Sequence, residues 1–165
     1  MIIDLKHIFV NENSSYPLDY SLDLSNISHS CAFPLKKPVV LKGAISNTSS
    51  LIRFEAEIIF EFDALCDRCG NPTIKTYKVP VSKSLATSIE GDDSDTILLV
   101  PDMKLDVDDF LYTEVVVNLP LKHLCSEDCK GICFKCGKNL NEGKCDCKDD
   151  DIDPRLAALL DLINN

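Results

Sequence analysis

The sequence has no apolar run of about 18 residues, so it offers no candidate for a membrane-spanning helix. It has no excess of basic charge either. Seventeen Lys and Arg stand against 27 Asp and Glu, for a formal net charge of −10 over 165 residues. Neutralised phosphates supply most nonspecific nucleic-acid affinity, so that class of binding, and adhesion to an anionic membrane, is disfavoured. A basic protein partner is electrostatically easier. Residues 1–10 carry Asp4 and Lys6 among apolar neighbours and lack a basic segment leading into an apolar stretch, so no secretory signal and a cytoplasmic location are expected. The usual catalytic signatures are missing. None of His7, His29 and His123 has Glu two residues on, and there is no Gly-x-Ser-x-Gly, no phosphate-cradling glycine loop and no His-Glu-x-x-His. The expectation is a protein that is not an enzyme and takes no small-molecule substrate.

What is present is a modest core and many thiols. Hydrophobic residues make up 45% of the chain, but that figure includes nine cysteines. Leu18, Tyr20, Leu22 and Leu24 alternate with polar residues, the period of a half-buried strand. Val39, Leu41 and Ile45 share one face of a second run. In a third, Ile52, Phe54, Ala56, Ile58, Phe60 and Phe62 face one way, and Arg53, Glu55, Glu57 and Glu61 the other. Asn47-Thr48-Ser49-Ser50 between these two runs predicts an antiparallel hairpin. A further strand has Tyr77, Val79, Val81, Leu85 and Ile89 at odd positions, and Pro80 within it predicts an edge position or a bulge. An acidic loop at Glu90–Asp95 then separates it from a strand over 96–100.

Asp106 precedes a helical pattern in which Val107, Phe110, Leu111 and Val115 fall on one face. It can cap the first amides, with Asp108 and Asp109 at the positive end. Near the end, Asp153-Pro154 is a helix start signal, followed by the stripe Leu156, Leu159, Leu160 and Ile163. The predicted fold class is therefore α+β, mainly β: an antiparallel curled sheet or barrel-like domain, with a zinc-knuckle module and a C-terminal amphipathic helix. The predicted division is a β domain with one helix over 1–121 and a cysteine-rich module with the final helix over 122–165.

Residues 125–147 have almost no apolar periodicity and cannot build a core of their own, so something covalent or metallic must order them. Cys-x-x-Cys-Gly occurs twice, at Cys66/Cys69-Gly70 and Cys133/Cys136-Gly137. Two intervening residues let a tight turn aim both sulfurs at one ion, and the following glycine can take positive φ and leave amides directed at the thiolates. Thiols in a chain without a secretory signal favour metal over a disulfide framework. Cys133, Cys136, Cys145 and Cys147 suit one tetrahedral zinc site. Cys125 and Cys129 then have Cys66 and Cys69 as natural partners, although spacing alone leaves the pairing open. Eight thiols for two ions leave no position for water, which is the pattern of structural zinc. Rubredoxin-like iron is the metal alternative. A thioredoxin-like role for Cys66 and Cys69 is disfavoured, since that pair leads no helix.

Several residues carry both a bland and a functional reading. Lys130, Lys135, Lys138 and Lys144 sit among the ligands, where they offset thiolate charge or contact RNA phosphate. Phe134, inside a knuckle, is expected to pack on the domain rather than stack on a base. His123 precedes Cys125 by two residues but is superfluous beside eight thiols, and Cys31 reads as a small apolar residue. The acidic runs at Asp92–Asp95 and Asp149–Asp151 read as solvated loops before they read as contact faces.

The order of these features resembles the YceD family. The resemblance rests on Cys66-Asp67-Arg68-Cys69-Gly70 in a β domain and a helix followed by Asn118-Leu119-Pro120-Leu121. It continues through Cys125-Ser126-Glu127-Asp128-Cys129-Lys130-Gly131-Ile132-Cys133-Phe134-Lys135-Cys136-Gly137-Lys138-Asn139-Leu140-Asn141 and Cys145-Asp146-Cys147. It ends with Asp153-Pro154-Arg155-Leu156-Ala157-Ala158-Leu159. The resemblance is to the family's cysteine-rich, Gram-positive type. Other members lack most of the C-terminal cysteines, which favours a stabilising role for them here. It implies a non-enzymatic factor in ribosome biogenesis that supports accumulation or maturation of large-subunit (23S) rRNA. The partner implied is a basic ribosomal protein or the pre-ribosomal large subunit, with possible rRNA contact. Two further readings stay open: direct RNA binding through Arg68, Lys130, Lys135, Lys138 and Phe134, and a thiol redox or metal sensor.

Overall fold

The computed structural model describes residues 1–29, 32–88 and 96–147. Four features of the sequence analysis lie outside the described residues: Cys31, the acidic loop Glu90–Asp95, Asp149–Asp151, and the helix expected from Asp153-Pro154. The chain divides into two compact units. The first is Met1–Ala64 with Pro72–His123, and the second is Leu65–Asn71 with Leu124–Asn165. The boundary expected at 121/122 thus falls at 123/124. The second unit also takes in the turn 65–71, because the thiols of that turn group with those after residue 124.

The first unit is α+β and mainly β. In chain order its elements are β1 (Ile2–Asp4), α1 (Lys6–Val10), β2 (Ser15–Leu22), β3 (Val39–Thr48), β4 (Leu51–Leu65), β5 (Pro72–Ala86), β6 (Ile97–Leu99), β7 (Lys104–Asp106) and α2 (Val107–Val117). Strands β1 and β7 form a small antiparallel sheet. The larger sheet runs β2-β3-β4-β5-β6, with β2 and β6 at its edges among the described residues, and is curled as a half-barrel. Its longest pairing is the expected hairpin of β3 and β4, which closes with Thr48 opposite Leu51. Ser49 and Ser50 both have positive φ, at 53° and 65°, the pattern of a type I′ turn whose twist matches that of the strands. At Gly43, β3 approaches β4 so closely that a Cβ would lie 2.2 Å from the Glu55 carbonyl oxygen.

The alternation read in β4 is the alternation of burial: Ile52, Phe54, Ile58, Phe60 and Phe62 are buried, while Arg53 and Glu55 are exposed. Val39, Leu41 and Ile45 of β3 join them. Helix α2 covers this face with Val107, Phe110, Leu111 and Val115, the four residues its periodicity marked. The Phe110 ring packs on Phe54 with centroids 5.1 Å apart. Each such side chain contributes roughly 1.5–3 kcal/mol on burial. That is enough to keep the β-branched run Val115–Val117 helical against its propensity. Asp106 caps α2 as expected, its carboxylate accepting the Asp108 and Asp109 backbone N–H groups at 3.1 and 3.5 Å.

Three features differ from expectation. Residues 6–10 form a short helix that no sequence pattern marked, tied down by buried Leu5 and Ile8. Strand β6 pairs with β5 in parallel, not antiparallel, opposite Ser84–Ala86. That short pairing accounts for Pro80: β5 is not an edge strand, but at Pro80 it has a described neighbour on one flank only, so the missing N–H disrupts no ladder.

Candidate metal centres

The second unit is built on two knuckles of the same design. In the first, the Cys66 N–H donates to the Asn71 carbonyl at 2.9 Å and the Gly70 N–H to the Cys66 carbonyl at 2.8 Å. In the second, the Cys133 N–H donates to the Lys138 carbonyl and the Gly137 N–H to the Cys133 carbonyl, both at 2.8 Å. Gly70 and Gly137 have φ of 71° and 73°. A Cβ at either would meet nothing within 4 Å, so the backbone conformation, not space, is what demands glycine.

Among the described residues the sulfurs gather into two groups. One is Cys66, Cys69, Cys125 and Cys129; the other is Cys133, Cys136, Cys145 and Cys147. Within each group all four Sγ atoms lie within 4.8 Å of one another. Spacing alone leaves this pairing open, and the structure brings together the same two sets that it suggests. In the first, Cys66 Sγ is 3.7 Å from Cys129 Sγ, and Cys69 Sγ is 3.6 Å from Cys125 Sγ. A disulfide would need about 2.05 Å. The edge of a tetrahedron with metal–sulfur bonds of about 2.3 Å is about 3.8 Å. The spacing therefore fits four thiolates around one ion, and the donor set is soft and complete. Burial differs in degree between the two groups: Cys66, Cys69 and Cys129 are buried and Cys125 is half-buried, whereas Cys133 is buried, Cys136 is exposed and Cys145 and Cys147 are half-buried.

The electrostatics of each group show why it suits a cation. Burial pushes the Cys66 thiol up, but the backbone N–H groups of Cys125, Cys69 and Arg68 outweigh it and hold it down at about 6. Cys69 accepts the Asn71 N–H, yet burial and the neighbouring sulfurs push it up to about 12. Cys125 is raised by the Cys129 sulfur and by burial. Burial also acts on Cys129, where the Asn141 side-chain amide and the Gly131 N–H prevail and lower it. In the second group the backbone N–H groups of Cys136 and Lys135 bring Cys133 down to about 6, and the Cys136 sulfur and burial push Cys147 up to about 12. Packed together without a counter-charge, four sulfurs cannot all be thiolates; a divalent ion removes that conflict.

Two contacts around the first group were not legible in the sequence. Arg68 Nη1 donates to the Cys129 carbonyl at 2.8 Å, so a residue considered for phosphate contact also holds the Cys125–Cys129 loop. Asn141 Nδ2 donates to Cys129 Sγ at 3.4 Å. Neither contact has a spacing rule, since each depends on how two separate loops meet. The expectation that Phe134 packs on its domain fails: its side chain is 84% exposed, beside Ile132 at 51%. The knuckle turns its sulfurs inward and leaves the residue after Cys133 outside. Lys138 Nζ donates to the Lys144 carbonyl at 2.8 Å, committing one of the four lysines to the loop. His123 belongs to neither group. It lies in the first unit, its ring 5.0 Å from that of Phe62 and its Nε2 donating to the Thr73 carbonyl at 3.0 Å.

Comparison with known proteins adds a family. The model of the family described as large ribosomal RNA subunit accumulation protein YceD matches residues 54–163, more than half of the chain. The chain belongs to the YceD family. The match takes in both cysteine groups of this YceD-family chain. A curated relative from Arabidopsis thaliana, described as a large ribosomal RNA subunit accumulation protein YCED homolog 1, chloroplastic, is 34% identical over 69 residues, covering 41% of this chain and 22% of the relative. An uncharacterized protein of Mycobacterium tuberculosis is 28% identical over 102 residues, covering 59% of this chain and 49% of the relative. The chain thus spans half or less of the length of these relatives. No solved structure matches it.

Proposed function

We propose that this YceD-family chain is a non-enzymatic, zinc-stabilised factor in ribosome biogenesis that supports accumulation or maturation of large-subunit (23S) rRNA. The observation that carries the structural half of this reading is the pair of closed thiolate tetrads. Each offers four protein ligands, which leaves no coordination position for water or substrate. The family description carries the ribosomal half. Zinc is preferred to iron because it fits a tetrahedral sulfur site and holds it without redox chemistry. The net charge of −10 favours reaching the pre-ribosomal large subunit through a basic ribosomal protein, in the cytoplasm, and not through bare RNA. No helix among the described residues is long and apolar enough to cross a membrane.

One observation favours a second reading, direct RNA contact by the cysteine module. Exposed Phe134, flanked by Lys135, is a surface on which a base can stack. A tagged pull-down from lysate, split with and without RNase and read by mass spectrometry, separates the two. A basic large-subunit protein retained after RNase is the expected result. Loss of every partner with the RNA would overturn it and make Phe134, Lys130 and Lys135 the residues to substitute. Metal analysis of the purified chain should return about two zinc ions, one for each tetrad.

A further inference from the structure

The two tetrads share a residue that ligates neither. Asn141 lies in the loop between Cys136 and Cys145 of the second group, yet its side chain reaches the first. Its Nδ2 donates to Cys129 Sγ at 3.4 Å, and its Oδ1 accepts the backbone N–H of Lys130, the residue after Cys129, at 2.8 Å. These two contacts fix which end of the amide is which, because the N–H of Lys130 requires an oxygen and the thiolate requires a donor. The same Nδ2 also donates to Asn139 Oδ1 at 2.8 Å, and Asn139 Oδ1 accepts the Asn141 backbone N–H at 3.0 Å. The backbone repeats the connection: the Leu140 N–H donates to the Gly131 carbonyl at 2.9 Å, and Asn139 forms an isolated bridge with Ile132. The loop 139–141 is thereby laid along 129–132, with one amide side chain pinned between a ligand sulfur and the backbone that follows it.

We propose that Asn141 couples the two metal centres: filling the second orders the loop that carries Asn141, and Asn141 then holds the Cys129 sulfur in its ligand position, so that each ion raises the affinity of the other. This rests on the metal reading above. The physical route is short. The ends of the Asn141 loop carry Cys136 and Cys145, which a common ion would tie together, adding to a few hydrogen bonds in a segment that has almost no apolar residues to order it. A hydrogen bond to a ligating atom sets its orientation and stabilises its charged form, and loss of such a partner typically costs about 10- to 100-fold in metal affinity. Coupling of this kind is reciprocal by thermodynamic necessity.

The test uses the full chain in zinc-buffered solution at fixed pH, with alkylation of each thiol read residue by residue by mass spectrometry. Protection of Cys66, Cys69, Cys125 and Cys129 reports the first centre alone in any background. Asn141→Ala and the double variant Cys133→Ser/Cys136→Ser should each move its midpoint to about 10- to 100-fold higher free zinc. Combining them should add little, because both break one link. Asn141→Asp separates the hydrogen bond from mere loop shape: it keeps the oxygen that accepts the Lys130 N–H but cannot donate to sulfur, and it should behave like Ala. An unchanged midpoint in the Cys133→Ser/Cys136→Ser variant, shifts that multiply when combined, or an Asp variant indistinguishable from the parent would overturn the coupling. Failure of zinc to protect any thiol in the parent chain is a different outcome, one that removes the metal centres themselves and the coupling with them.

Discussion

A cysteine sulfur ligates a metal as thiolate, so the protons on the eight thiols set the pH range in which the second unit can be loaded. In the first tetrad Cys66 is held at about 6 and Cys129 is also lowered, whereas Cys69 is pushed up to about 12 and Cys125 is raised. Near neutral pH an entering ion must displace at least the protons of the raised thiols, Cys69 and Cys125. The sign follows. A depressed thiol such as Cys66 is anionic above its folded value and loses that charge as pH falls through about 6. The apparent zinc affinity of this tetrad should fall at least about a hundredfold per pH unit on acidification from about pH 8, and more steeply below about pH 6, where Cys66 also takes up a proton. Calorimetric titration with zinc in buffers of different ionisation enthalpy counts the protons released. Binding with no proton release near neutral pH would show that the tetrad is already fully ionised.

Among the elements, the hairpin of β3 and β4 makes the sharpest demand on a single position. Gly43 has no side chain where a Cβ would fall 2.2 Å from a carbonyl oxygen and 2.4 Å from the Ala56 Cα, both backbone atoms that cannot swing aside. Gly43→Ala should lower stability by about 1–3 kcal/mol through overpacking, read as a reduced urea midpoint at unchanged slope. This constraint was invisible in the sequence, where Gly43 sits within an ordinary alternating run. Strand β4 and helix α2 were legible because a period of two over 11 residues, and a capping Asp before a helical stripe, are local rules strong enough to survive folding. Strand β1, helix α1 and strand β7 were not, being three to five residues long. Helix α1 has no side-chain cap at Leu5, so burial of Leu5 and Ile8 holds it, and burial is decided by the rest of the molecule. The parallel sense of β6 was equally hidden, because alternation marks a face and not a direction. At the site the same division holds. Cys-x-x-Cys-Gly declares its turn locally, while Arg68 acquires its role only when loops far apart in sequence meet, and Asn141 only when its loop is laid along 129–132.

At the scale of the whole molecule, the two units are held by different forces. The first has a continuous apolar core drawn from both sheets and both helices. The buried cluster of the second consists of Cys66, Cys69 and Cys129, with Leu124 and Cys125 packed against it, so its core is largely its own ligand set. Apolar burial on that scale cannot offset the chain entropy of residues 124–147, roughly 1–2 kcal/mol for each residue fixed, and metal coordination has to supply the difference. A zinc chelator should therefore remove hydrogen-exchange protection from 65–71 and 124–147 while peptides from β4 and α2 keep theirs. Release should also be ordered. The second tetrad, with exposed Cys136 and half-buried Cys145 and Cys147, is the more open to a chelator, whereas in the first only Cys125 is half-buried and the other three are buried. Time-resolved exchange with thiol alkylation should show Cys136, Cys145 and Cys147 labelled before Cys66 and Cys69. Simultaneous labelling of all eight thiols at every chelator concentration would mean that the two centres open as one. Loss of protection in β4 at the same rate would mean that the β unit has no stability apart from the metal, contrary to what its core implies.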